Sequence, residues 1–85
     1  MDADPIRVLV VDDQDLVRSG FKMILNTYEG IEVVGEARNG ARAVEEAQRL
    51  RPDVVLMDIR MPEMSGIEAC RAITANPLLS KTRVL

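Results

Sequence analysis

Two short apolar runs, Val8-Leu9-Val10-Val11 and Val54-Val55-Leu56-Met57, each end at aspartate: Asp12 and Asp13 follow the first, Asp58 the second. Runs this short, rich in β-branched residues and lacking polar alternation, leave no face for water. They read as strands buried on both sides, the pattern of a parallel sheet covered by helices. In open parallel sheets, ligands bind outside the carboxyl ends of the strands. The three acids therefore stand where such an architecture places its chemistry.

The rest of the chain alternates accordingly. Ile6 to Val11 is the first expected strand, and after Asp12-Asp13 the residues Leu16, Val17, Phe21, Ile24, Leu25 and Tyr28 recur at helical spacing. Gly30 punctuates the end of that helix, Ile31 to Glu36 is a second strand, and Asn39-Gly40 opens a helix lined by Ala43, Val44, Ala47 and Leu50. Pro52 ends it, Val54 to Met57 is the third strand, and Ile59 to Ser65 is a loop carrying Met61-Pro62. A third helix with Ile67, Cys70 and Ile73 inside stops at Asn76-Pro77, and Thr82-Arg83-Val84-Leu85 opens a fourth strand. The pattern contains no repeat, low-complexity tract or linker.

Alternating strands and helices imply an α/β fold: a parallel sheet with right-handed crossovers and helices on both faces. The chain supplies three strand-helix units and the start of a fourth strand, an incomplete flavodoxin-like doubly wound parallel sheet. Applying the known order of such sheets, 2-1-3-4-5, makes the first and third strands neighbours at the switch point. Asp12, Asp13 and Asp58 then converge.

Composition narrows the chemistry. Eighty-five residues suit one small domain, and a net charge of −3 argues against direct binding to a nucleic acid backbone. The chain has no histidine, which removes imidazole bases and His-ligated metals, and one cysteine, Cys70, which rules out an internal disulfide. Cys70 is read as a small core residue. No stretch approaches a bilayer span and the start, Met1-Asp2-Ala3-Asp4-Pro5, is unlike a signal peptide, so a cytoplasmic location and no membrane association are expected. Arg18, Lys22, Arg38, Arg42, Arg49 and Arg51 are most simply solvated helix and loop faces.

Two carboxylates about 4 Å apart repel by roughly 4 kcal/mol at an effective dielectric near 20, so three in one cleft call for a balancing cation. Mg2+ suits them, since it takes oxygen ligands and bridges one or two protein carboxylates to phosphate. A carboxylate also serves as a nucleophile towards a phosphoryl group. Asp58, alone at its strand end, is the better acceptor, leaving Asp12 and Asp13 to share the metal. The competing readings are structural: helix capping for Asp12-Asp13 and a turn aspartate for Asp58. A metal-dependent hydrolase fits less well, because Asp13-Gln14-Asp15 lacks the Thr or Val expected after such a pair. Nucleotide binding fits least, since no glycine-rich phosphate loop follows the first strand.

Taken together, Val10-Val11-Asp12-Asp13-Gln14, Ala37-Arg38-Asn39-Gly40, the segment from Pro52 to Pro62, and Gly66 resemble the receiver domains of two-component response regulators. Leu16-Val17-Arg18-Ser19-Gly20 and Ile31 to Ala37 look most like the NarL type. The resemblance implies Asp58 as phospho-acceptor, Asp13 and Asp58 as direct Mg2+ ligands, Asp12 reaching the metal mainly through water, and the backbone carbonyl of Arg60 completing the set. It implies a phosphohistidine on a sensor histidine kinase as donor, docked partly on the first helix, and a transcription-regulating domain as output.

A full receiver continues with the rest of the fourth strand, a fifth strand and two helices. By the same resemblance, a Thr or Ser and a Lys that respond to the phosphoryl group are expected after Leu85, and Lys81 is not their substitute. Residues 1–85 are thus expected to form a partial receiver domain, with no DNA-binding domain in this segment. An exposed sheet edge and an uncovered apolar face are expected to favour a homo-oligomer. The alternative function is an interaction or assembly fragment with vestigial acids.

Overall fold

The computed structural model describes residues 4–58 and 66–85. Strand β1 (Ile6–Val11) is followed by helix α1 (Asp15–Leu25), β2 (Ile31–Ala37), α2 (Gly40–Leu50), β3 (Val54–Met57), α3 (Gly66–Ala75) and β4 (Arg83–Val84). A single 3-10 turn, Pro77–Leu79, precedes β4. The strands lie in the order β2-β1-β3-β4, all parallel, which is the flavodoxin-like arrangement expected from the alternation. The expected loop from Ile59 to Ser65 lies outside the described residues.

Residues alternate between the two faces of each strand. Leu9, Val11 and Val55 point to one side, where they pack with Ala43 and Ala47 of α2, Ile73 of α3 and Leu79 into the main core. Val10 and Leu56 point to the other, towards Phe21 of α1. Helices thus cover both faces, as right-handed crossovers require.

Several local devices fix this packing. Asn39 caps α2 by accepting a hydrogen bond from the Arg42 amide at 2.8 Å, and Arg51 ends the helix in the left-handed region with φ 48°. At Gly35, a Cβ would stand 2.6 Å from Leu50 Cδ1, so the missing side chain lets α2 lie close against β2. The β1–β2 register also shifts there, from Val8 opposite Val33 to Leu9 opposite Gly35. The start of β3 is bound to β1 on both sides of Asp53: its amide donates to the Arg7 carbonyl and its carboxylate accepts from the Arg7 amide, each at 2.8 Å.

Some expectations need correction. The second strand runs one residue further, to Ala37, and Tyr28 falls in the turn after α1. The apolar spacing of α1 identifies a helix, yet none of its residues is fully buried and Leu16 is 85% exposed. α1 packs chiefly on β1 and β2, and its half-buried side chains are Arg18, Lys22 and Leu25, one stripe at positions i, i+4 and i+7, with Val17, Phe21 and Ile24 exposed beside it. Ile67 is likewise outside the core at 53% exposure. The inner stripe of α3 is the Ala69/Ile73 pair, four residues apart, and Ile67 stands about 120° around the helix from Ile73.

Candidate functional site

The register of β1 and β3 builds the site. Val11 pairs with Met57, so the residues that follow, Asp12 and Asp58, leave the sheet side by side. The backbone holds them there, because the Asp58 amide donates to the Val11 carbonyl at 3.0 Å and the Asp12 amide to the Ala37 carbonyl at 3.1 Å. Carboxylate oxygens of Asp12, Asp13 and Asp58 all lie within 4.8 Å of one another. Asp12 is buried, Asp58 half-buried and Asp13 exposed, so the cluster grades from the sheet end to solvent. Arg60 lies outside the described residues.

At that separation each pair of ionised carboxylates repels by about 3 kcal/mol with an effective dielectric near 20. The set is all oxygen and partly buried, which is the donor chemistry taken by hard divalent cations such as Mg2+. Beside it opens a cleft of about 340 Å³ lined by Asp12 and Asp58 together with Val10, Phe21 and Leu56. The competing capping reading holds for part of Asp12: its Oδ1 accepts from the Gln14 amide at 2.9 Å, turning the chain into α1.

Arg18 departs from its expected place on a solvated face. Its side chain is 11% exposed and reaches three acceptors. Nη1 donates to the Asp12 carbonyl at 2.7 Å, Nε to Glu36 Oε1 at 2.7 Å, and Nη2 to Asp15 Oδ1. Lys22 Nζ holds the other oxygen of Glu36 at 2.5 Å. The Lys22 and Arg18 hydrogen bonds keep the Glu36 carboxyl below its ordinary range, and the bond to Glu36 raises Arg18. Charge pattern along α1 gave no sign of this network, because its decisive partner, Glu36, lies on another element. The nearest sequence signal is Glu36, the second of two acids in the second strand and the one nearest its end.

The response regulator receiver domain model matches residues 8–85. The chain belongs to that family. The similarity extends to solved structures. The receiver domain superposes on the signal receiver domain of NarL from Mycobacterium tuberculosis with a TM-score of 0.89 and 40% identity, over 96% of this chain and 64% of that one. It is 60% identical over 68 residues to the protein-glutamate methylesterase/protein-glutamine glutaminase of Alkalilimnicola ehrlichii, covering 80% of this chain and 17% of the relative. It is 46% identical over 71 residues to the transcriptional regulatory protein LnrK of Bacillus subtilis, covering 84% of this chain and 32% of the relative. The chain thus spans a third or less of the length of these two proteins.

Proposed function

We propose that this receiver domain accepts a phosphoryl group on Asp58 from a sensor histidine kinase, with Mg2+ held by Asp12, Asp13, Asp58 and the Arg60 backbone carbonyl. The observation that carries the reading is the Val11–Met57 register, which draws acids 45 or more positions apart in sequence into one oxygen cluster beside an open cleft. Bound Mg2+ supplies positive charge that offsets the carboxylates and the incoming phosphoryl oxygens. Asp58 supplies the nucleophile: a carboxylate oxygen bonds to phosphorus as the donor's bond to phosphorus breaks, its electron pair leaving with the donor. Asp12, fixed by the Ala37 carbonyl and the Gln14 amide, keeps its carboxylate turned to that site.

The domain is then a self-phosphorylating acceptor in a phosphorelay and not a turnover enzyme, working in the cytoplasm where kinase donors reside. Among the described residues, no helix is long and apolar enough to cross a membrane. The output it controls is transcription, by similarity to the transcriptional regulatory protein LnrK, and the acidic receiver itself makes no direct contact with nucleic acid. A second reading, self-association of copies, draws on the exposed apolar residues Leu16, Met23 and Ile24 of α1.

Incubation of the full-length protein with Mg2+ and acetyl phosphate, followed by intact-mass measurement, tests the first reading. Wild type gains one phosphoryl group and Asp58→Asn gains none. An unchanged wild-type mass in a folded sample, or equal labelling of Asp58→Asn, overturns it. Saturable Mg2+ binding separates it from an assembly module with vestigial acids.

A further inference from the structure

We propose that Arg18 is a positioning residue for the acidic site: seated on Glu36 and gripping the Asp12 carbonyl, it sets how tightly the three aspartates hold Mg2+. The inference rests on the reading of that site given above and adds a residue outside it.

The geometry gives the mechanism. A peptide unit is a rigid plane, so the Asp12 carbonyl oxygen and the Asp13 nitrogen move together. A hydrogen bond of 2.7 Å from Arg18 Nη1 to that oxygen therefore fixes the direction in which Asp13 leaves β1. On the other side of Asp12, its amide is bound to the Ala37 carbonyl and its Oδ1 to the Gln14 amide. The Arg18 bond completes the restraint on the segment that carries both acids.

Arg18 is itself held. Its guanidinium joins three segments: the turn after β1 through Asp12, the first turn of α1 through Asp15, and the end of β2 through Glu36. A planar fork with five donors suits three acceptors in different directions, and a lysine ammonium does not reproduce that fork. Lys22 occupies the second oxygen of Glu36 and keeps that carboxylate aimed at Arg18. With one donor on each of its three nitrogens directed at a protein acceptor, Arg18 acts through Asp12 and not on the phosphoryl group.

The test uses the full-length protein with Arg18→Met, Arg18→Lys and Glu36→Gln. Calorimetric titration with MgCl2 is expected to show affinity about tenfold weaker for Arg18→Met, the size of effect seen when partners of metal ligands are removed. Arg18→Lys rescues little of that loss, and Glu36→Gln gives a smaller loss in the same direction. Raising Mg2+ to saturation restores the wild-type maximal rate of labelling by acetyl phosphate. Unchanged Mg2+ affinity in Arg18→Met overturns the inference, as does a labelling rate that stays low at saturating Mg2+. If Arg18→Met lacks a native melting transition, Glu36→Gln decides, and wild-type Mg2+ affinity in it overturns the inference. Absence of saturable Mg2+ binding in wild type overturns instead the site reading beneath it.

Discussion

Two isoleucines of α3 put the assignment of the core to a direct test. Ile73 is fully buried among Leu9, Val11, Val55 and the α2 alanines, whereas Ile67 is 53% exposed. Replacing either by alanine removes three carbon atoms, about 2.4 kcal/mol of transfer free energy at roughly 0.8 kcal/mol per buried carbon. At Ile73 the whole of that is lost, and any cavity its neighbours fail to fill adds roughly 24 cal/mol per Å³, for a total of about 3–4 kcal/mol. At Ile67 about half the side chain is already in water and no closed cavity forms, so the cost is about 1 kcal/mol. Helix propensity improves equally at both sites and cancels in the comparison.

Urea unfolding followed by far-UV circular dichroism reads the difference. A domain of 85 residues has roughly 4–13 kcal/mol of total stability, so Ile73→Ala removes a large share of it and Ile67→Ala a small one. Equal m values would show that both changes act on stability and not on the compactness of either state. Equal loss at the two positions would refute the placement of the α3 inner stripe on Ala69 and Ile73.

Three further perturbations are open to the same assay. Thr82 is buried and its Oγ1 donates to the Pro52 carbonyl at 2.6 Å, so Thr82→Val strands an acceptor and should cost about 1–3 kcal/mol; a neutral result would show water replaces the hydroxyl. Removing the α2 cap with Asn39→Ala should cost about 1 kcal/mol, with Asn39→Asp retaining most of it. The Glu36 carboxyl is held below its ordinary value of 4.5, so the stability it contributes is complete above that pH and is lost as pH falls through the lower folded value. The gap in unfolding midpoint between wild type and Glu36→Gln should therefore close as pH drops below 4.5, and a gap independent of pH would rule out the ion-pair explanation.

What the sequence made legible is what local pattern determines. Val8 to Val11 are buried, as a parallel strand between two helix layers should be, whereas in Val54 to Met57 only Val55 is buried and its neighbours are half-buried; the aspartates after both runs mark where each strand ends. The known strand order then sufficed to bring Asp12 and Asp58 together, as the pairing of Val11 with Met57 does. Exposure along the helices was less legible. Period alone places Val17, Phe21 and Ile24 on one side of α1, but the half-buried side chains are Arg18, Lys22 and Leu25, so apolar spacing does not fix which stripe turns to the sheet. The same limit misplaced Ile67, whose spacing from Cys70 and Ile73 suits a helix without fixing which stripe turns inward.

The Arg18 network shows why side chains that act between elements escape a one-dimensional reading. On α1, Arg18 looks like one of several cations on a wet face, and on β2, Glu36 looks like a polar end residue. Only the β1–β2 pairing, with Val10 opposite Glu36 and Val11 opposite Ala37, brings the end of β2 beside the turn that α1 leaves. Once there, a charge that would contribute little in solvent becomes a restraint on the Asp12–Asp13 peptide, because the guanidinium is nearly enclosed and two of its acceptors are held, the Asp12 carbonyl by the backbone and Glu36 by Lys22. The acids furnish the oxygen donors. Their spacing, on which cation affinity depends, is then partly a property of a cation one helical turn into α1.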